Sequence, residues 1–192
     1  MKHIIFCCCM LLFVAATAQI KSTTGASLKK IAYSGNLQIG VLNGSAKSTL
    51  ELKTIHGLQY HSWFAGAGVS LDNYLYRTVP LFINIRKNLL NKSSYPYLFA
   101  DAGISLPWVQ HTDNFWWSSY KYNSGLYYNA GAGYSFSLAK KYALLFNAAY
   151  SFKKVKETVT PFCELCPPPS STPDIKNEYS LRRLSLSLGW MF

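Results

Sequence analysis

Along most of the chain, apolar and polar positions alternate with a period of two, as in a strand with one greasy face and one polar face. Asn36–Leu42 sets Leu37, Ile39 and Val41 on one side, and Leu50–Tyr60 sets Leu50, Leu52, Leu58 and Tyr60 against Glu51, Lys53 and Gln59. "WFAGAGVSL", "VPLFINIRK" and "YLFADAGISL" continue the alternation through Ala67, Ile83 and Ala102. "YYNAGAGYSFSL" and "YALLFNAAYSF" carry it through Ala130 and Phe146. The last segment, "SLRRLSLSLGWMF", alternates Leu184, Leu186, Leu188, Trp190 and Phe192 with Arg183, Ser185, Ser187, Gly189 and Met191. Eight strands are predicted between Asn36 and Phe192.

The connections differ in length. Short ones follow Tyr60 and Leu138, and a moderate one spans 88–94. Long ones span 107–124 and 156–177. Counting strands back from Phe192 puts both long loops at one end and the short turns at the other. An even-numbered up-and-down barrel crossing an outer membrane has this layout, with short periplasmic turns and longer external loops.

Which face points inward decides between a soluble barrel and a membrane barrel. A soluble barrel packs its apolar face inside, whereas a membrane barrel turns that face to lipid and fills the lumen with small and polar residues. Here the apolar face is capped by Tyr60, Trp63, Tyr142, Tyr150 and Trp190, as interfacial girdles require. The polar face is mostly Gly, Ser and Asn. Closure would also remove the unpaired strand edges that lipid cannot satisfy. Composition agrees: charged residues are 14% of the chain and aromatics 16%, against about 25% charged in soluble domains. The predicted fold class is therefore all-β, an eight-stranded antiparallel up-and-down transmembrane β-barrel.

The first residues fit that destination. Lys2, an apolar run from Ile4 to Ala16, and Ala16-Thr17-Ala18 form a secretory signal, so 1–18 is read as cleaved. Residues 19–35 are a lead-in and 36–192 the barrel. The apolar run is shorter than the ~20 residues of a spanning helix.

Several segments resemble successive strands of the small porin-type outer-membrane β-barrel domain family. These are "TIHGLQYHSWFAGAGVSLDNY", "VPLFINIRKNLL", "YPYLFADAGISL" and "GLYYNAGAGYSFSL". The matching positions are Gly57, Gly66 and Gly68, Pro80 with Asn84 and Arg86, and Asp101 with Gly103. The resemblance runs from about Asn36 onward and implies an outer-membrane location without a known activity. The terminal strand, with Trp190 and Phe192 on its apolar face, resembles the C-terminal insertion signal read by the barrel assembly machinery.

Eight strands leave an interior just wide enough for side chains. Glu51, Lys53, Arg86, Asp101 and Arg183 fall on the lumen face and are expected to satisfy one another, because unpaired charges there would be costly. The net charge is +11. Arg77, Lys121, Lys153, Lys154, Lys156 and Arg182 are expected at the external rim, against the phosphates of an anionic glycolipid. Lys29, Lys30, Lys87, Lys92, Lys140 and Lys141 belong to the periplasmic end. A pI near 9.4 also suits nucleic acid, but export and the lack of any such motif argue against it.

The loop "PWVQHTDNFWWSSYKYNSGLYY" is rich in aromatics. Trp108, Trp116, Trp117 and Tyr120 either stack on an extracellular ligand or extend the girdle over the barrel mouth. His111 with Asp113 and Ser118 or Ser119 is similar to the residue set of lipid-modifying barrel enzymes, which makes an outer-leaflet lipid-modifying enzyme the alternative function. A narrow channel is a further one. Cys163 and Cys166 are expected to form a loop disulfide in an oxidising compartment. No cofactor or metal is implied. The expected role is non-enzymatic, structural or surface-interacting, in a bacterial outer membrane.

Overall fold

The computed structural model describes residues 31–45, 47–73, 77–108, 118–138, 142–161 and 175–192, with backbone alone at 118–121 and 160–161. Every described element is a strand: β1 (Ala32–Gly44), β2 (Ser48–Tyr60), β3 (Trp63–Asp72), β4 (Thr78–Asn88), β5 (Tyr95–Pro107), β6 (Ser118–Asn123), β7 (Gly125–Ser137), β8 (Ala143–Pro161) and β9 (Ile175–Met191). All pairings are antiparallel, and β1 pairs with both β2 and β9, which closes the sheet on itself. β6 and β7 are one wall strand, so the barrel has eight.

The break between β6 and β7 is a bulge. From Asn123 to Tyr127 the chain advances one residue more than β8 does from Lys156 to Lys153. The extra residue lies at Ser124–Leu126, beside Gly125, whose missing side chain leaves room for the Lys154 carbonyl.

The barrel begins earlier than the sequence expectation. β1 starts at Ala32, within the stretch read as a lead-in, because Ala32–Asn36 pair with Ile55–Gln59. The regions read as loops 107–124 and 156–177 are partly strand: the far end of β8 pairs with β6 on one side and with the start of β9 on the other. Phe192 is held by both of its backbone groups, Gly35 N–H to Phe192 O at 2.8 Å and Phe192 N–H to Gly35 O at 2.9 Å. Its ring lies where a Gly35 side chain would be, 2.7 Å from an added Cβ. At the same end, one strand along from that seam, β2 and β3 are joined by two residues, with His61 at φ 54° in a turn of the II′ kind.

Exposure settles the faces. Ile83, Leu184 and Leu186 are 64% exposed, while Arg183, next to Leu184 in the chain, is 1% exposed. Leu188, Phe146 and Ala130 also look outward. The apolar surface continues around the wall from Leu37 and Ile39 on β1 to Leu98 on β5 and Leu126 on β7. Soluble monomers rarely expose contiguous apolar patches beyond a few hundred Å². Aromatic residues gather at both margins. Tyr60, Trp63, Tyr142 and Trp190 lie at the end shared with Phe192, and Trp108, Tyr128 and Phe152 lie at the other.

Inside, large and small residues alternate around the wall. One rung runs Ile55, Gly68, Phe82, Gly103, Tyr127 across β2, β3, β4, β5 and β7. The four large members of the apolar core, Ile55, Phe64, Phe82 and Tyr127, are all buried. Phe82 and Tyr127 lie 5.5 Å apart across the glycine between them.

Candidate functional site: a neutral, cross-linked lumen

The neighbouring rung is polar. Asn84, Asp101, Asn129, Ser151 and Arg183 occupy consecutive strands β4, β5, β7, β8 and β9. Alternation puts them all inward, and closure brings them within reach. Asn84 Nδ2 donates to Asp101 Oδ1 at 2.5 Å, and Asn129 Nδ2 donates to Oδ2 at 2.8 Å. Lys53 Nζ reaches the same Oδ2 at 3.3 Å and Glu51 at 3.7 Å, and Ser185 Oγ donates to Glu51. Glu51, Lys53 and Asp101 thus form one cluster.

Arg183 belongs to a second cluster, built around Asp72. Lys153 Nζ donates to Asp72 Oδ1 at 2.6 Å and lies 2.7 Å from Thr78 Oγ1, which itself donates to Asp72. Arg183 Nη1 is 3.5 Å from Asp72 Oδ2, and its Nη2 donates to Ser151.

Lys153 is the clearest departure from the sequence expectation, which placed it at the external rim. It is fully buried in the lumen. β8 continues as regular strand to Pro161, so the inward parity of Ser151 carries on to Lys153 and Val155. Lys154, Lys156, Arg182 and Arg77 face outward or lie exposed at the rim, whereas Lys121 is described in its backbone alone.

Arg86 also departs, because it joins neither carboxylate cluster. Its guanidinium lies 4.5 Å from the centre of the Phe64 ring and 5.2 Å from that of Tyr97, with Met191 Sδ 3.7 Å from Nη2. It is positioned on a rung between Phe64 and Phe99, toward the end shared with Phe192, where aromatic faces supply the compensation. Tyr97 in turn donates to Asn147, which bonds Gln38 and Ser187.

Sequence reading missed Asp72, Thr78, Asn84, Asn129 and Asn147 as lumen partners. Asp72 was accessible through parity, since Leu71 faces outward. Trp108 is exposed at the rim and Tyr120 is described in its backbone alone. The signal at 1–18, His111, Asp113, Trp116, Trp117, Cys163 and Cys166 lie outside the described residues. Trp190 and Phe192 face outward at the closing seam.

Among the described residues, four acids (Glu51, Asp72, Asp101, Glu157) and four bases (Lys53, Arg86, Lys153, Arg183) are buried. The described interior is therefore formally neutral, and among the described residues the excess of positive charge lies on side chains outside it. A gap between Asn36, Asn84, Arg86 and Asp101 measures about 10 Å³, room for roughly one water. No cluster of three or more His, Cys, Asp or Glu among the described residues could hold a metal ion.

A closed wall, an apolar exterior and a filled polar interior define an eight-stranded transmembrane β-barrel of the outer-membrane type. No family model matches the chain, and no curated protein matches it. Among solved structures it is similar to Neisserial surface protein A, at 11% identity and a TM-score of 0.52, covering 84% of this chain and 95% of that one. It is likewise similar to the outer membrane protein AlkL, solved in lipid bilayers, at 11% identity and a TM-score of 0.54, covering 92% and 96%. The likeness is one of fold.

Proposed function

We propose that this chain is a non-enzymatic integral protein of a bacterial outer membrane, acting as a structural or surface-interaction element through its external end. One observation carries the reading: the lumen is neutral, cross-linked and filled, while the strands β6, β8 and β9 rise past the rim. Among the described residues, the gap between Asn36, Asn84, Arg86 and Asp101 holds roughly one water, too little for a passing solute. The outer wall and the external end are accessible to other molecules.

The partners that fit are membrane lipids, including an anionic glycolipid at the rim, and an extracellular ligand at the external loops. Trp190 and Phe192, outward on the seam strand, suit recognition by the barrel assembly machinery. Extraction in detergent followed by heat-modifiable gel mobility tests the barrel in its membrane, and a planar bilayer tests the lumen. Shifted mobility with a silent bilayer is the expected pair of results. Steady conductance would overturn the filled-lumen argument. A change in membrane lipid composition that depends on His111 would replace the reading with the enzyme.

A further inference from the structure

The bulge between β6 and β7 opens a groove on the outward side of the wall. It has a volume of about 280 Å³ and is lined by Ile104, Ser124, Gly125, Leu126, Lys154, Lys156 and Glu178. Its lower part is apolar: Ile104 and Leu126 are register partners, both exposed. Its upper part is charged. Lys154 and Lys156 project from alternate positions of β8, and Lys156 lies opposite Glu178 in the ladder. Lys154 Nζ donates to Glu178 Oε1 at 2.8 Å, with both side chains 40–47% exposed. Arg182 stands two rungs along the same outward face of β9, opposite Phe152.

The surface continues from the groove toward the middle of the wall. On β5 the outward residues below Ile104 are Ala102 and Ala100, and on β7 those below Leu126 are Tyr128, level with Ala102, and then Ala130 and Ala132, all exposed. Ile83 and Ile85 stand on one side, paired with Ala102 and Ala100, and Tyr150 on the other, paired with Ala130. Past Tyr128, small residues between large flanks make a shallow furrow. A cationic groove at the rim is therefore followed, beyond the Tyr128 ring, by an apolar furrow at membrane depth.

We propose that this groove and furrow seat a phosphorylated lipid of the outer leaflet, with its phosphate on Lys154 and Lys156 and an acyl chain along the alanines. The chemistry is complementary at both ends. Ammonium groups bind phosphate as point charges, and the furrow offers lipid-facing apolar surface where an acyl chain already lies. Glu178 acts as the resident counter-ion. An exposed ion pair contributes little, so a phosphate can take Lys154 over from the carboxylate. The hydrogen bond to Lys154 holds Glu178 below the usual carboxylate range and Lys154 above the usual amine range, which keeps both ionised at neutral pH. A free anion would have no use for the furrow, and a soluble protein partner would have to displace lipid from it.

This inference rests on the membrane reading above, and its test separates the two. The full chain is placed in phosphatidylcholine nanodiscs containing a minor fraction of bisphosphorylated lipid A, with dephosphorylated lipid A in a parallel set. Heat-modifiable mobility of the recovered protein reports insertion, and native mass spectrometry reports retained lipid. Failure to insert sinks the membrane reading; an inserted barrel that retains no lipid A sinks only the inference. The expected result is retention of the phosphorylated lipid, reduced on the order of tenfold in Lys154→Gln/Lys156→Gln, as loss of charge-assisted bonds implies. Ala102→Phe, which blocks the furrow from outside the core, lowers retention as well, and Glu178→Gln raises it. Equal retention of the dephosphorylated lipid overturns the proposal. So does an unchanged lysine double variant that keeps barrel mobility, or displacement of the lipid by inorganic phosphate alone.

Discussion

Lys153 and Asp72 meet across the lumen, Nζ to Oδ1 at 2.6 Å, from strands that stand on opposite sides of the barrel. Going round the closed sheet in either direction, three wall strands separate β8 from β3. The pair is therefore a strut, not a neighbouring-strand contact, and Arg183 and Thr78 brace it. Removing the carboxylate takes away the acid that the buried Lys153 bonds, and breaking a buried pair in this way costs about 3–5 kcal/mol. Asp72→Ala is expected to lower the midpoint of urea unfolding in detergent accordingly, measured by the folded band on unheated gels. Lys153→Met made in an Asp72→Asn background should cost less than the two single changes together, with a coupling of about 0.5–3 kcal/mol. Strict additivity would mean that the two residues do not act as one tie.

The apolar rung makes a second, independent claim. Gly68 faces Phe82, and a Cβ added there would come within 2.6 Å of two ring carbons. Gly68→Leu overfills that layer, and overpacking of this kind costs about 1–3 kcal/mol. Pairing it with Phe82→Ala returns volume to the same rung and should recover part of the loss. The readout is the same unfolding midpoint. A Gly68→Leu barrel as stable as the parent would show that the layer is looser than its contacts imply.

How far these features could be read from residues alone differs by feature. Face parity is local, so the alternation in "SLSLGWMF" was enough to place Leu186 outside and Ser185 inside. Lys153 was misplaced for an equally local reason. The loop was expected to start near Lys156, which put Lys153 at the rim, but β8 runs on to Pro161 and parity then fixes Lys153 inside. Partnerships across the lumen are different in kind. Asp72 meets Lys153, and Arg86 meets Phe64 and Tyr97 instead of a carboxylate, because of how the closed wall is staggered. No short-range pattern encodes that stagger. The bulge at Ser124–Leu126 was hidden likewise, since an aromatic-rich stretch gives no period to interrupt.

The outward face supplies a test that separates lipid from water. Ile83 sits midway along β4 and is 64% exposed. On a soluble protein, a lysine at so exposed a position would be close to neutral. On a transmembrane wall at mid-depth it costs about 2–4 kcal/mol. Ile83→Lys is expected to destabilise the barrel in phospholipid bilayers by that amount, measured by equilibrium unfolding from vesicles. An unperturbed midpoint would place this belt in water.

Lys153 and Lys154 are consecutive in the chain yet serve opposite compartments. Lys153 is fully buried against Asp72, while Lys154 is 40% exposed in its side chain and bonded to Glu178 on the outer wall. The two substitutions should therefore fail in different assays. Lys153→Gln removes the closest cation from Asp72, leaving it Thr78 and Arg183, and should lower the unfolding midpoint without changing the phosphorylated lipid retained per folded barrel. Lys154→Gln removes an exposed ion pair, which contributes little to folding, and should lower lipid retention with the midpoint unchanged. Measuring both quantities on both variants gives a crossed pattern that parity along β8 requires. If instead the pattern were reversed, with Lys153→Gln losing lipid and Lys154→Gln losing stability, Lys153 would be facing the membrane, and the register of β8 against β7 and β9 would be wrong by one residue.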